Sequence, residues 1–304
     1  MKMGRAAFIA VLMLAVFAAV PVFAQGPPPP PPSSYPQAPP PPALPPAQLD
    51  PLVARVALYP DPLLAQILAA ATFPDQIPDA ARWADQHHYL TGQDLASAIQ
   101  ADQVPWDPSV QALLPFPSVL DMMASDMNWT TNIGDAFLAQ QQDVMDAVQR
   151  ERAKARDFGY LRSNAQIVVG GGPYITIEPV DPGYVVVPYY DPAIVFFAPR
   201  PGFFIGGGIR FGFGVTIGGF FRPWGWGYGR FDWGAHRVFI NNAPWGRTWV
   251  NRGGYVHPYA GVRRFTPAER APEHHELMGR SPAEREAPRQ GRAPVEEHHG
   301  GGRR

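Results

Sequence analysis

The sequence predicts a mainly α protein: a compact multi-helix bundle followed by a small β meander. A disordered Pro-rich segment is expected before it and a disordered Arg/Glu/Pro-rich segment after it. Three observations lead there. Over residues 48–162, Leu, Ile, Ala and Met recur at helical spacing, and glycine falls to Gly92, Gly134 and Gly159. From residue 164 the apolar period changes from helical to strand-like, with prolines punctuating the runs. At the ends, 13 prolines crowd the 20 positions 27–46, and after Phe265 only Leu277, Met278 and Val295 are aliphatic or Met, too few to build a core.

The elements follow in order. Lys2 and Arg5 precede an unbroken apolar run over residues 6–20, and Val22-Phe23-Ala24 stands before Gln25. This is the three-part pattern of a secretory signal, assigned to residues 1–24, and it implies a periplasmic or cell-envelope protein. If uncleaved, residues 6–24 approach the ~20 residues that span a bilayer and would leave the chain anchored in the inner membrane. Residues 25–47 form the Pro-rich linker, extended as polyproline II at ~3.1 Å per residue.

Residues 48–162 form the helical bundle. Asp50-Pro51, Asp61-Pro62 and Asp107-Pro108 each place an acid before a proline, the pattern of an N-cap followed by a first helical residue. Thr91-x-x-Asp94 and Ser118-x-x-Asp121 read as capping boxes with Asp in place of Glu. Leu63, Leu64, Ile67, Leu68 and Ala71 make one apolar stripe, and residues 75–87 carry Ala80, Ala81, Trp83 and Ala84. The longest helix is expected over roughly 130–157, with Ile133, Phe137, Val144 and Val148 inward and Asp135, Gln142, Asp146 and Gln149 outward. Within it, Arg150-Glu151-Arg152-Ala153-Lys154 reads as a solvated face.

Residues 163–200 hold a small β element: Tyr174-Ile-Thr-Ile-Glu178, Tyr184-Val-Val-Val187 and Ala193-Ile-Val-Phe-Phe197 are strand-like, and Pro179, Pro188 and Pro199 keep them short. Residues 201–262 form a Gly/aromatic-rich arm, with 11 glycines and nine aromatics over 202–229. In it, Ile209, Phe211, Phe213, Val215 and Ile217 alternate strictly with Arg210, Gly212, Gly214, Thr216 and Gly218, the pattern of a strand buried on one side. Residues 263–304 are the charged tail.

Four stretches together resemble a known family. They are Leu-Tyr-Pro-Asp-Pro-Leu-Leu-Ala-Gln-Ile-Leu (58–68), Ala-Ala-Arg-Trp (80–83), Asp-Pro-Ser-Val-Gln-Ala-Leu (107–113) and Tyr-Val-Val-Val-Pro-Tyr-Tyr-Asp-Pro (184–192). These are similar to the bacterial domain-of-unknown-function (DUF) 3300 family over residues 48–200. The resemblance implies an exported envelope protein, and it carries over no activity and no catalytic residues.

Composition narrows the chemistry. The chain has 304 residues, no cysteine, and only Lys2 and Lys154 as lysines, which excludes disulfides, thiolate catalysis and Cys-ligated metals. There is no Gly-x-Ser-x-Gly, no P-loop and no His-Glu-x-x-His. No cofactor and no ordered metal site is expected, although the doublets His87-His88, His274-His275 and His298-His299 could scavenge a divalent ion loosely.

Residues 48–162 carry 15 acids and seven bases, residues 201–262 one acid and six arginines. The candidate ligand-binding residues are Trp224, Trp226, Tyr228, Arg230, Trp233, Trp245 and Trp249, because aromatic faces with Arg suit sugar rings or membrane interfaces. The expectation is a non-enzymatic envelope protein whose arm contacts peptidoglycan, polysaccharide or an envelope protein. Self-association or membrane-interface contact through 201–262 is a further possibility, and nucleic acid is not expected. The alternative is a cell-wall hydrolase using Asp residues of the helical domain, such as the pair Asp75/Asp79 one turn apart.

Overall fold

The computed structural model describes residues 38–199, 208–255 and 257. The stretch read as a signal sequence, most of the Pro-rich linker and the charged tail, with two of the three His doublets, lie outside the described residues. From Pro40 onward the described residues belong to one unit. It is mainly helical, with small antiparallel sheets after the helices.

Eight helices come first: α1 (Pro46–Val53), α2 (Asp61–Ala71), α3 (Ile77–Gln86), α4 (Gly92–Ala101), α5 (Pro108–Gln111), α6 (Pro117–Ser125), α7 (Met127–Ala139) and α8 (Gln141–Asp157). At its centre, α2 is buried at every position except Pro62. The single stripe expected from sequence is therefore too narrow, because elements from distant parts of the chain cover the remaining faces. Its packing on α7 depends on Gly134, where a Cβ would collide with the Ala71 carbonyl.

Capping follows the sequence at some sites and departs from it at others. Asp107 accepts from the Ser109 amide at 2.9 Å, as the Asp-Pro pattern predicts. Asp50 instead lies within α1 and binds Arg150 and Lys154, and Asp61 is the first residue of α2 with no cap bond. An N-cap is worth about 1 kcal/mol, and both carboxylates are drawn to cations of α8 instead. Thr91 does stand at the N-cap of α4, without a side-chain cap bond. Ser118 falls inside α6, because Pro117 starts that helix after Phe116.

The long helix is two helices. The chain breaks at Gln140 (φ −146°, ψ 54°), whose side chain clamps Leu44: Oε1 accepts from the Leu44 amide at 2.7 Å and Nε2 donates to the Leu44 carbonyl at 3.2 Å. No Gly or Pro marks this break, since its cause is a contact 96 positions away in sequence. The inward residues are as expected: Ile133, Phe137, Val144 and Val148 are fully buried.

After α8, strands β1 (Ile167–Gly170) and β2 (Thr176–Pro179) form a hairpin. β3 (Tyr184–Val185) and β4 (Pro188–Tyr190) are followed by α9 (Pro192–Val195), capped by Asp191. Both strands find their partners beyond residue 200: β4 pairs antiparallel with β5 (Ile209–Phe211), and β3 with β6 (Val215–Thr216). A last antiparallel sheet runs β7 (Arg230–Asp232), β8 (Arg237–Ile240), β9 (Ala243–Pro244).

The strict alternation over 209–217 does not yield one strand. Val185 pairs with Val215 and Pro188 with Phe211, so four residue steps on one side oppose three on the other. That is a bulge. It throws Phe213 fully into solvent, where alternation placed it on an apolar face.

Trp224, Trp226, Trp233 and Trp245 join the same buried cluster as the helices. Trp224 Nε1 donates to Gln111 Oε1 at 2.6 Å, Trp226 Nε1 to the Ala112 carbonyl at 2.9 Å, and Trp245 stacks on Phe137 at 4.9 Å. Among the described residues no helix is long and apolar enough to cross a membrane.

Candidate functional site

Two features of this fold combine polar chemistry with burial or enclosure. The first is an ionic centre built on Arg152 of α8. Its helix neighbours made it look solvated, yet Arg152 is 0% and Glu151 3% exposed, because residues 57–61, 175–178 and Trp233 close over them. Arg152 Nε donates to the Ala57 carbonyl (2.8 Å), Nη1 to the Ile175 carbonyl (2.9 Å), and Nη2 to the Tyr59 carbonyl (3.0 Å). Nη1 also faces Asp61 Oδ1 at 2.6 Å. Trp233 lies across the guanidinium at 4.9 Å and donates its indole N–H to Asp61 Oδ2 at 3.1 Å.

Burial pushes the Asp61 carboxyl above its usual value, and the bonds from Arg152 and Trp233 pull it partly back. Glu178, on the outward side of β2, is raised to about 7 by desolvation and by the neighbouring Asp61 charge. Glu151 is raised by burial, with Lys154 Nζ bound to it at 2.6 Å opposing the shift. With its carboxylate enclosed by Arg152 and Trp233, Asp61 has no open face toward a substrate. Its work is to join α2, α8 and the last sheet.

The second feature is an open cleft of about 1290 Å³. Its walls include Arg55, Tyr59, Met122, Tyr160, Tyr189 and Tyr190, with Asp191, Ile194, Phe197 and Arg210 toward the α9 and β5 side. Two of the motifs that carry the family likeness meet here. The Tyr190 hydroxyl donates to the Ala54 carbonyl at 2.8 Å and accepts from the Leu58 amide at 3.3 Å, tying β4 to the turn before α2. The Tyr59 and Tyr190 rings meet edge to face at 6.4 Å. Burial holds both phenols well above their ordinary pKa, so they stay neutral. Arg55 is held by Asp126 at 2.8 Å, and Asp191 is engaged as the cap of α9. The lining thus offers ring faces, hydroxyl groups and guanidinium groups.

The seven aromatic and arginine candidates from the sequence are scattered. Trp224, Trp226, Trp233 and Trp245 are buried, Trp249 is half-buried, and Tyr228 and Arg230 are exposed. Trp233 and Arg230 border a shallow hollow of about 580 Å³ with Tyr174, Thr176 and Asp232. None of the seven lines the large cleft. Many of the bundle's aspartates are engaged: Asp79 with Arg82, Asp102 with Trp83, Asp126 with Arg55, and Asp146 with His236. No cluster of three metal-ligating side chains occurs among the described residues.

Tyr59, Arg55, Tyr160 and Tyr190 were missed as site candidates. Tyr59 and Tyr190 do stand in the distinctive motifs at 58–68 and 184–192. Their meeting depends on the tertiary fold.

Comparison with known proteins adds kinship without a function. Over 183 residues, 49% of this chain, the sequence is 37% identical to the uncharacterized protein YacH of Escherichia coli (strain K12), and the match spans 29% of that relative's length. No solved structure matches the chain. A family model described as "Protein of unknown function (DUF3300)" matches residues 45–254, from the start of α1 through the sheet of β7 to β9, and the chain belongs to that family.

Proposed function

We propose that the protein is an exported component of the cell envelope that works by binding, with the tyrosine-lined cleft as its recognition surface for an envelope glycan. Export rests on the signal pattern over residues 1–24. The observation that carries the binding role is the cleft itself. It is large enough for several sugar units, and it is walled by four tyrosine rings with Arg55 and Arg210 at its margin. Ring faces stack on the apolar faces of sugars, and phenol and guanidinium groups serve their hydroxyl and carboxyl substituents. The Gly/aromatic arm contributes through Arg210 of β5, while its tryptophans support the fold that shapes the cleft.

Co-sedimentation of the full chain with purified peptidoglycan tests this reading. Tyr160→Ala and Tyr189→Ala, which remove partly exposed ring faces of the wall, should reduce the bound fraction, and Tyr89→Ala, remote in sequence and exposed, should not. Equal retention of all variants, or release of soluble wall fragments by the wild type, would overturn it.

A further inference from the structure

Two glycines set Arg210 between a pair of tyrosine rings. Along the extended backbone of β5, positions 208, 210 and 212 share one face. A Cβ on Gly208 would meet the Tyr160 ring at 2.5 Å, and one on Gly212 the Tyr189 ring at 2.8 Å. Tyr189 also stands opposite Arg210 in the ladder of β4 and β5. A phenol ring therefore lies on the strand to either side of Arg210, and Tyr160, Tyr189 and Arg210 all line the cleft. The charged residues of the lining are Arg55, Asp191 and Arg210. Arg55 is paired with Asp126 at 2.8 Å, and Asp191 Oδ1 accepts from the Ala193 amide at 2.8 Å. Among the described residues, the exposed Arg210 has no acid in ion-pair contact.

We infer that the cleft selects a glycan with spaced carboxylates, and that Arg210 is the residue that receives a sugar-borne carboxylate. This rests on the glycan reading of the cleft and adds the class of sugar. The planar guanidinium fork matches a carboxylate with two parallel N–H donors. The rings of Tyr160 and Tyr189 take the apolar faces of the sugar on either side, and Asp191 Oδ2 accepts from a hydroxyl. Charge sets the spacing. One guanidinium balances one carboxylate, whereas a phosphate dianion or a densely charged polymer would also face Asp191 with Arg55 already engaged. The flanking rings place the carboxylate on a stacked sugar and not on a peptide end, which offers no such faces.

Two matched sugars test this by titration calorimetry on the full chain. Hyaluronan hexasaccharide carries a carboxylate on alternate rings, and chitohexaose has the same N-acetylated ring type with none. Wild type should bind the acidic sugar about tenfold or more tightly than the neutral one. Arg210→Gln should abolish that preference and leave chitohexaose binding unchanged, which also shows that the cleft is intact. N-acetyl-Ala-Ala, a carboxylate without a sugar, should not displace the acidic sugar at equal concentration. Equal affinity of wild type for both sugars, or an undiminished preference in Arg210→Gln, would overturn the inference while the glycan reading stands. Loss of both sugars in Arg210→Gln, or displacement by the peptide, would overturn it as well. Failure of wild type to bind either sugar overturns it too, and only when peptidoglycan is also not retained does the glycan reading fall with it.

Discussion

Replacing Arg152 with Met removes the cation at the centre of the fold while keeping most of the side chain's bulk. The Asp61 carboxylate would stay buried beside the Trp233 indole without its counter-charge, and the carbonyls of Ala57 and Tyr59 would lose the Arg152 donors, while that of Ile175 keeps the Gln149 side-chain amide. Breaking a buried ion pair from one side costs about 3–5 kcal/mol. Each carbonyl left without a donor adds up to about 1–3 kcal/mol, depending on relaxation and water entry. The loss is therefore at least about 4 kcal/mol, against about 5–15 kcal/mol for a whole domain.

In a chain of this size, each kcal/mol lowers the melting midpoint by about 2–4 °C, so Arg152→Met should melt at least about 8 °C below wild type. Near-ultraviolet circular dichroism follows the buried tryptophans directly. The double variant Asp61→Leu/Arg152→Met removes both charges and should lose less than the sum of the two single variants. A midpoint for Arg152→Met within about 2 °C of wild type would refute the view that this centre holds the fold. Strictly additive losses would refute the pairing argument.

Two further outcomes follow from the packing and the charges. Gly134→Ala should lower the urea midpoint by an amount equivalent to at least about 1–3 kcal/mol, because the new Cβ meets the rigid Ala71 carbonyl; Gly171→Ala, with nothing within 4 Å, is the control, and equal midpoints would mean α2 and α7 are not so close. Glu178 is raised to about 7 in the fold, above the ~4.3 of an unfolded chain, so its stabilising share is complete below the unfolded value and lost as pH rises through 7. Wild type should lose thermal stability between pH 5 and 8 more steeply than Glu178→Gln, and parallel slopes would mean that desolvation beside Asp61 does not hold the Glu178 carboxyl up.

Local signals in this chain read well wherever the cause is local. The period of 3.6 placed Ile133, Phe137, Val144 and Val148 inward, and all four are buried. Asp107-Pro108 capped a helix because its amide partner is two residues away. The same pattern at Asp61-Pro62 led elsewhere, since a cation 91 positions later offered a stronger partner than the local amides. Arg152 lay in a charged run that any helical wheel would expose, and nothing nearby in sequence announces the three carbonyls that bury it.

The site follows the same division. Tyr59 and Tyr190 belong to the two most distinctive motifs, but their meeting depends on a hydrogen bond spanning 136 positions. The alternation over 209–217 foretold β structure and could not foretell the bulge, because side-chain periodicity carries no record of the partner strand's register.

By itself, then, the sequence determined the mainly helical class, the inward faces of the long helices, the family and the pattern of an export signal. Each rests on periodicity, turn chemistry or short motifs that act over a few residues. Tertiary structure decided that the Gly/aromatic stretch packs its tryptophans against α2, α5 and α7, that Arg152 is enclosed, and that a tyrosine cleft opens beside a protruding Phe213. Those outcomes depend on which distant surfaces meet, and that is settled by the free energy of burying whole apolar faces and pairing charges inside them.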